Sequence, residues 1–232
     1  MKDLLTHSPQ LSRNETIAGW SYYAFSMLAL PIVLAYVNGL LPDPLNEAKL
    51  NFVFYAANFT ACVMIFRRLL KLNLQIAVRR IFPVLWYALL GYLGYSALTS
   101  ILTALIQTLV PGFANVNDMS IAALAGKELT LMAIGTVILV PVAEELFYRG
   151  LMLRHLAGKS RILAYCVSMG VFALVHVVGY IGSYSPLTLV LCFIQYLPAG
   201  YCLAWCYSST GTIVTPIVMH MIVNAYGLAN LR

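Results

Sequence analysis

Apolar residues run through the chain in long blocks, and the charged residues fall in the short gaps between them. Setting each block against the roughly 20 residues that a membrane-crossing helix needs predicts seven spans. They lie at about 17 to 41, 51 to 66, 82 to 110, 128 to 153, 161 to 180, 187 to 206 and 211 to 229. The second is short and crosses with little tilt or by extending into its flanks. Residues 1–232 are therefore expected to form a single all-α transmembrane domain, a polytopic helix bundle, with 128–229 as a core inside it. No internal repeat accompanies the pattern.

The gaps differ in charge. Residues 67–80 carry Arg67, Arg68, Lys71, Arg79 and Arg80 without an acid, and 154–161 carry Arg154, Lys159 and Arg161. Positive residues mark cytoplasmic loops, so both gaps, and with them the N-terminus, are expected in the cytoplasm. The gaps at 42–50, 111–127 and 181–186 are acidic, nearly neutral or uncharged, which suits the opposite side. Leu69 to Ile81 interleaves apolar with basic residues: it either lies along the inner leaflet, binding anionic lipid, or acts as a topology signal alone.

Composition removes the remaining classes. The chain is 61% hydrophobic and 9% charged, with a mean hydropathy of +0.84, whereas soluble domains carry about 25% charged residues. A net charge of +6 would suit a nucleic-acid partner only if the cations clustered on a soluble face; here they sit at span ends, so no nucleic acid is expected. The five cysteines, Cys62, Cys166, Cys192, Cys202 and Cys206, all fall in apolar blocks and read as core-filling thiols. Cys202 and Cys206 share a helix face but lack further ligands for a metal.

The fourth span breaks its own pattern with Glu144, Glu145 and Arg149. Each charge at the bilayer centre costs about 2.5 to 3.5 kcal/mol on insertion scales. Glu145 and Arg149 are four apart with the acid first, the favourable order for an ion pair on one helix face. Glu144 lies about 100° round the helix and has no such partner. A lone carboxylate at membrane depth marks a functional-site candidate. Pro141 just before it is expected to kink the helix and open space beside the carboxylate. The fifth span sets Phe172 and His176 one turn apart, and the last does the same for His220 and Asn224. Counted from the cytoplasmic ends at about 1.5 Å per residue, Glu144, His176 and His220 lie roughly 15, 22 and 13 Å deep. Those depths overlap within tilt, so one midplane cavity can receive all three helices, with Arg149 nearer the cytoplasm.

Glu-Glu-x-x-x-Arg, Phe-x-x-x-His and His-x-x-x-Asn, in that order and on separate helices, resemble the three motifs of the CPBP family. It comprises CAAX prenyl endopeptidases of the Rce1 type and bacterial bacteriocin-processing and self-immunity (Abi) membrane proteases. The resemblance covers residues 144–224 and leaves 1–127 with topology alone. It implies an intramembrane endopeptidase in which Glu144 and His176 activate water and His220 and Asn224 form the oxyanion site. Glu145, Arg149 and Phe172 would support them. The implied substrate is a membrane-associated or lipidated peptide or protein, and the compact chain suits a bacterial plasma membrane. A metal-free mechanism is favoured over zinc held by Glu144, His176 and His220, because helical zinc proteases usually place both histidines on one helix. Two other readings stand beside it. A proton-coupled transporter also uses intramembrane carboxylates and histidines, and a non-catalytic scaffold or immunity protein would keep the fold.

Overall fold

The computed structural model describes residues 8–230, so the N-terminal residues assigned to the cytoplasm fall outside it. Every regular element among the described residues is a helix. They are α1 (Arg13–Leu28), α2 (Leu30–Gly39), α3 (Glu47–Ile65), α4 (Arg67–Arg79), α5 (Ile81–Leu109), α6 (Val116–Lys127), α7 (Leu129–Ala157), α8 (Arg161–Val178), α9 (Pro186–Thr210) and α10 (Val214–Asn230). The protein is an all-α polytopic integral membrane bundle.

Beside the seven expected spans, five or six stretches of the described residues meet the length and apolarity that a crossing needs. Five helices, α3, α5, α7, α8 and α9, are long and apolar enough to cross, and α1 with α2 makes a sixth if the bent pair is one span. The 49° bend between α1 and α2 falls at Ala29. Pro31 explains it, since it offers no N–H to the preceding turn and its ring crowds the carbonyl four residues back. The seventh expected span corresponds to α10, whose 17 residues stand at the lower end of the length that crosses a bilayer.

Two gaps read as connections are helical. The stretch 111–127 contains α6, started by Asn115, whose side chain accepts from the N–H groups of Asn117 and Asp118. The basic stretch 67–80 is α4, which buries Leu69, Asn73 and Ala77, four apart, and leaves its cations outside. α1 begins on a capping box in which Ser12 and Glu15 satisfy each other's backbone N–H.

α7 lies against α3 and α10, α8 packs along α9, and α5 covers both α9 and α10. The α8–α9 seam closes at Gly200, where a Cβ would sit 3.0 Å from Met169 Cα, so a larger residue would have to push the two helices apart. Of the five thiols, Cys62, Cys192, Cys202 and Cys206 are buried as expected, with Cys206 donating to the Tyr87 carbonyl at 3.2 Å. Cys166 is exposed on the outside of α8, which corrects its reading as a core residue.

Candidate active site

α7 is not a plain α-helix. Gly135–Leu139 and Leu146–Leu153 are π-helical, on either side of the turn that carries Pro141, Glu144 and Glu145. Instead of a sharp kink at Pro141, the helix widens. The Val140 N–H reaches back five residues to the Gly135 carbonyl, and Pro141, the next donor in a π register, has no N–H. The Thr136 carbonyl is thereby left without a helical donor, and it accepts instead from Asn224 Nδ2 at 2.7 Å. A proline in one helix thus creates the acceptor that fixes an amide in another.

The two neighbouring glutamates live in different surroundings. Glu145 is fully buried, and its Oε1 accepts from Arg149 Nη1 at 3.0 Å and from His220 Nδ1 at 2.9 Å. Arg149 is also fully buried and donates through Nη2 to the Gly200 carbonyl on α9 at 3.0 Å. Its guanidinium lies over the Phe172 ring, 4.8 Å from the centroid. The expected Glu145–Arg149 pair is present, and Phe172 is the ring on which the cation rests.

Glu144 faces a cavity of about 610 Å³ whose walls also include His176, His220, Asn224, Phe172 and Thr136. Its Oε2 is buried without a hydrogen-bond partner. A carboxylate oxygen in that state carries a desolvation cost of about 1–3 kcal/mol or more, which a water or substrate donor would relieve. The Oδ1 of Asn58, on α3, lines the same cavity and is unpaired as well.

Both histidines have defined tautomers when neutral. His176 Nδ1 lies 2.7 Å from the Phe172 carbonyl; a carbonyl only accepts, so Nδ1 holds the proton and Nε2 keeps a free lone pair. His220 Nδ1 donates to the Glu145 carboxylate, which likewise leaves Nε2 unengaged. The four residues singled out as catalytic therefore meet at one cavity, but His220 is oriented by Glu145, a contact the local motif pattern did not announce. Sequence reasoning also missed Tyr196, whose ring stacks on His176 at 4.2 Å. The Tyr196 hydroxyl accepts from Asn117 Nδ2 at 2.8 Å and donates to Asp118 Oδ1 at 3.0 Å, so α6 helps seat the imidazole. The spacing of Tyr196 on α9 carries no signal that would have singled it out from the other aromatics there.

Among the described residues no three His, Cys, Asp or Glu side chains converge as a metal-binding group. Glu144, His176 and His220, the set considered for zinc, share the cavity wall without forming such a group.

Residues 125–226 match the family model described as type II CAAX prenyl endopeptidase Rce1-like, the stretch that carries all three motifs. This part of the chain is similar to that family. No curated protein and no solved structure matches the chain.

Proposed function

We propose that the protein is an intramembrane endopeptidase that hydrolyses a peptide bond of a membrane-associated or lipidated peptide or protein, with Glu144 as general base. The observation that carries this reading is the unpaired Oε2 of Glu144 on a cavity wall shared with His176, His220 and Asn224.

In the proposed reaction a water molecule donates one hydrogen to Glu144 and the other to His176 Nε2, which leaves an oxygen lone pair free to attack. Glu144 takes the proton as the new C–O bond forms. The carbonyl oxygen, now an anion, receives the second Nδ2 hydrogen of Asn224 and the Nε2 hydrogen of His220. For the latter His220 must be an imidazolium, whose charge faces the Glu145 carboxylate. Glu144 then passes its proton to the leaving nitrogen, the C–N bond breaks, and an acid and an amine leave. The bacterial plasma membrane is the proposed location, and a bacteriocin or signalling-peptide precursor fits it better than a prenylated CAAX tail.

The test offers purified parent and Glu144→Gln protein, both in bilayer discs, a library of membrane-associated peptides, and identifies the cut bonds by mass spectrometry. Cleavage by the parent and none by a folded Glu144→Gln supports the proposal. Equal products from both, or solute flux without any cleavage, overturns it. Turnover that survives exhaustive chelation supports the metal-free route, and stoichiometric zinc in purified active protein overturns that route.

A further inference from the structure

α4 is a platform whose inner side is fully engaged and whose outer side is not. On the inner side, Arg68 Nη2 pairs with Glu15 Oε2 at 2.6 Å, and Glu15 Oε1 accepts the Leu69 N–H at 3.1 Å. Asn73 holds the turn ahead of α10 from two directions: its Oδ1 accepts the Ile213 N–H at 2.8 Å and its carbonyl accepts from Thr212 Oγ1 at 3.0 Å. Arg80, just past the helix, donates to the Thr210 carbonyl at 3.3 Å.

On the outer side Arg67, Lys71, Gln75 and Arg79 follow one another at intervals of four, a row down one face of the helix. None of these three cations has an ion pair or side-chain hydrogen bond among the described residues, whereas Arg68 and Arg80 beside them do. A second row, Leu70, Leu74 and Val78, runs alongside, with Leu74 47% and Val78 76% exposed. Together with Val63 the two rows line a shallow groove of about 570 Å³. Cations along one edge and aliphatic carbons along the other are the two demands of an amphiphile with an anionic head. An acidic protein segment would satisfy the cations but would have no use for the exposed aliphatic row, and a free anion would use neither the groove nor its depth.

We infer that this groove is a binding site for an anionic phospholipid, its phosphate held by Arg67 and Lys71 and an acyl chain laid along Leu70, Leu74 and Val78. Each cation near an anionic headgroup contributes about fivefold in affinity, so the row gives roughly a hundredfold preference for an anionic over a zwitterionic lipid. The inference does not depend on the protein's being a protease.

The experiment is native mass spectrometry of the full chain released from micelles doped with equal phosphatidylglycerol and phosphatidylcholine, with bound lipid counted per protein. The parent is expected to retain phosphatidylglycerol selectively. Arg67→Gln with Lys71→Gln should lower that retention about 25-fold. Lys159→Gln with Arg161→Gln, which removes the same charge from the other basic gap, should leave it unchanged. Leu74→Ser with Val78→Ser should weaken phospholipid binding without altering the binding of soluble glycerophosphate. All these positions are exposed, so the variants fold. Equal loss from the two charge-removed pairs, or indifference to headgroup charge in the parent, overturns the site. Glycerophosphate binding as tight as phospholipid reduces it to an anion site and overturns the lipid assignment.

Discussion

Two sides of one helix turn separate the roles of adjacent carboxylates. On the Glu145 side of α7 the carboxylate, a guanidinium, an imidazole and an aromatic face are in contact, Glu145 and Arg149 have no exposed surface, and although Glu145 Oε2 and Arg149 Nε lack hydrogen-bond partners, neither residue lines the cavity. On the Glu144 side a half-buried carboxylate opens on a cavity with an unpaired oxygen. The lesson is that charge inside a membrane protein divides into charge that is neutralised in place and charge that is kept available. In the proposed reaction the second kind acts on the substrate, and the first orients the groups that assist it.

Mutations should separate the two sides. The largest effect is expected from Glu144→Gln, which should reduce peptide cleavage by about 10²–10⁴-fold while leaving the thermal unfolding midpoint within a degree or two of the parent; a variant that unfolds early would place Glu144 on the structural side. Arg149→Ala should do the reverse, costing about 3–5 kcal/mol of stability by stranding the buried Glu145 carboxylate. Denaturant titration in mild detergent checks this, and a midpoint equal to the parent's would mean that His220 alone neutralises Glu145.

Weaker effects sharpen the cavity side. Asn224→Ala should lower kcat by about 10²–10³-fold yet leave measurable turnover, because one oxyanion donor remains; complete loss would give Asn224 a larger part than hydrogen bonding to the anion. Pro141→Ala restores an N–H that competes for the Thr136 carbonyl, and should reduce kcat about tenfold, the worth of one hydrogen bond of about 1.4 kcal/mol. Steady-state kinetics beside a thermal melt will show whether the helix gains stability as activity falls. Smallest of all, Tyr196→Leu should cost a few-fold in kcat, since it removes one stacking neighbour of His176 and leaves the Phe172 carbonyl contact in place.

Much of this was legible in the chain because lipid makes the rules strict. Apolar blocks had to be helices, and charges within them had to be paired or functional, which singled out Glu144, Glu145 and Arg149 before any coordinates. What local pattern does not encode is contact across long separations. Glu145 and His220 are 75 residues apart, and nothing in either motif says that the histidine turns toward the second glutamate. Helix α6 was hidden for another reason: with buried Val116 and Leu124 but only 12 residues, it is too short for a span and too neutral for a surface helix. The π-helical turns of α7 were invisible because Pro141 announces a disturbance without saying whether the chain bends or widens.

His176 and Asn224 each commit one polar hydrogen to a main-chain carbonyl, of Phe172 and Thr136. That leaves the imidazole with one lone pair and the amide nitrogen with one hydrogen, one on α8 and the other on α10. In the proposed reaction such a chamber is chiral in its chemistry: nucleophile and anion receptor belong to different walls, and a trigonal carbon between them has only one prochiral side open to attack. Peptides of inverted configuration at the residue before the bond should enter, bind and remain intact.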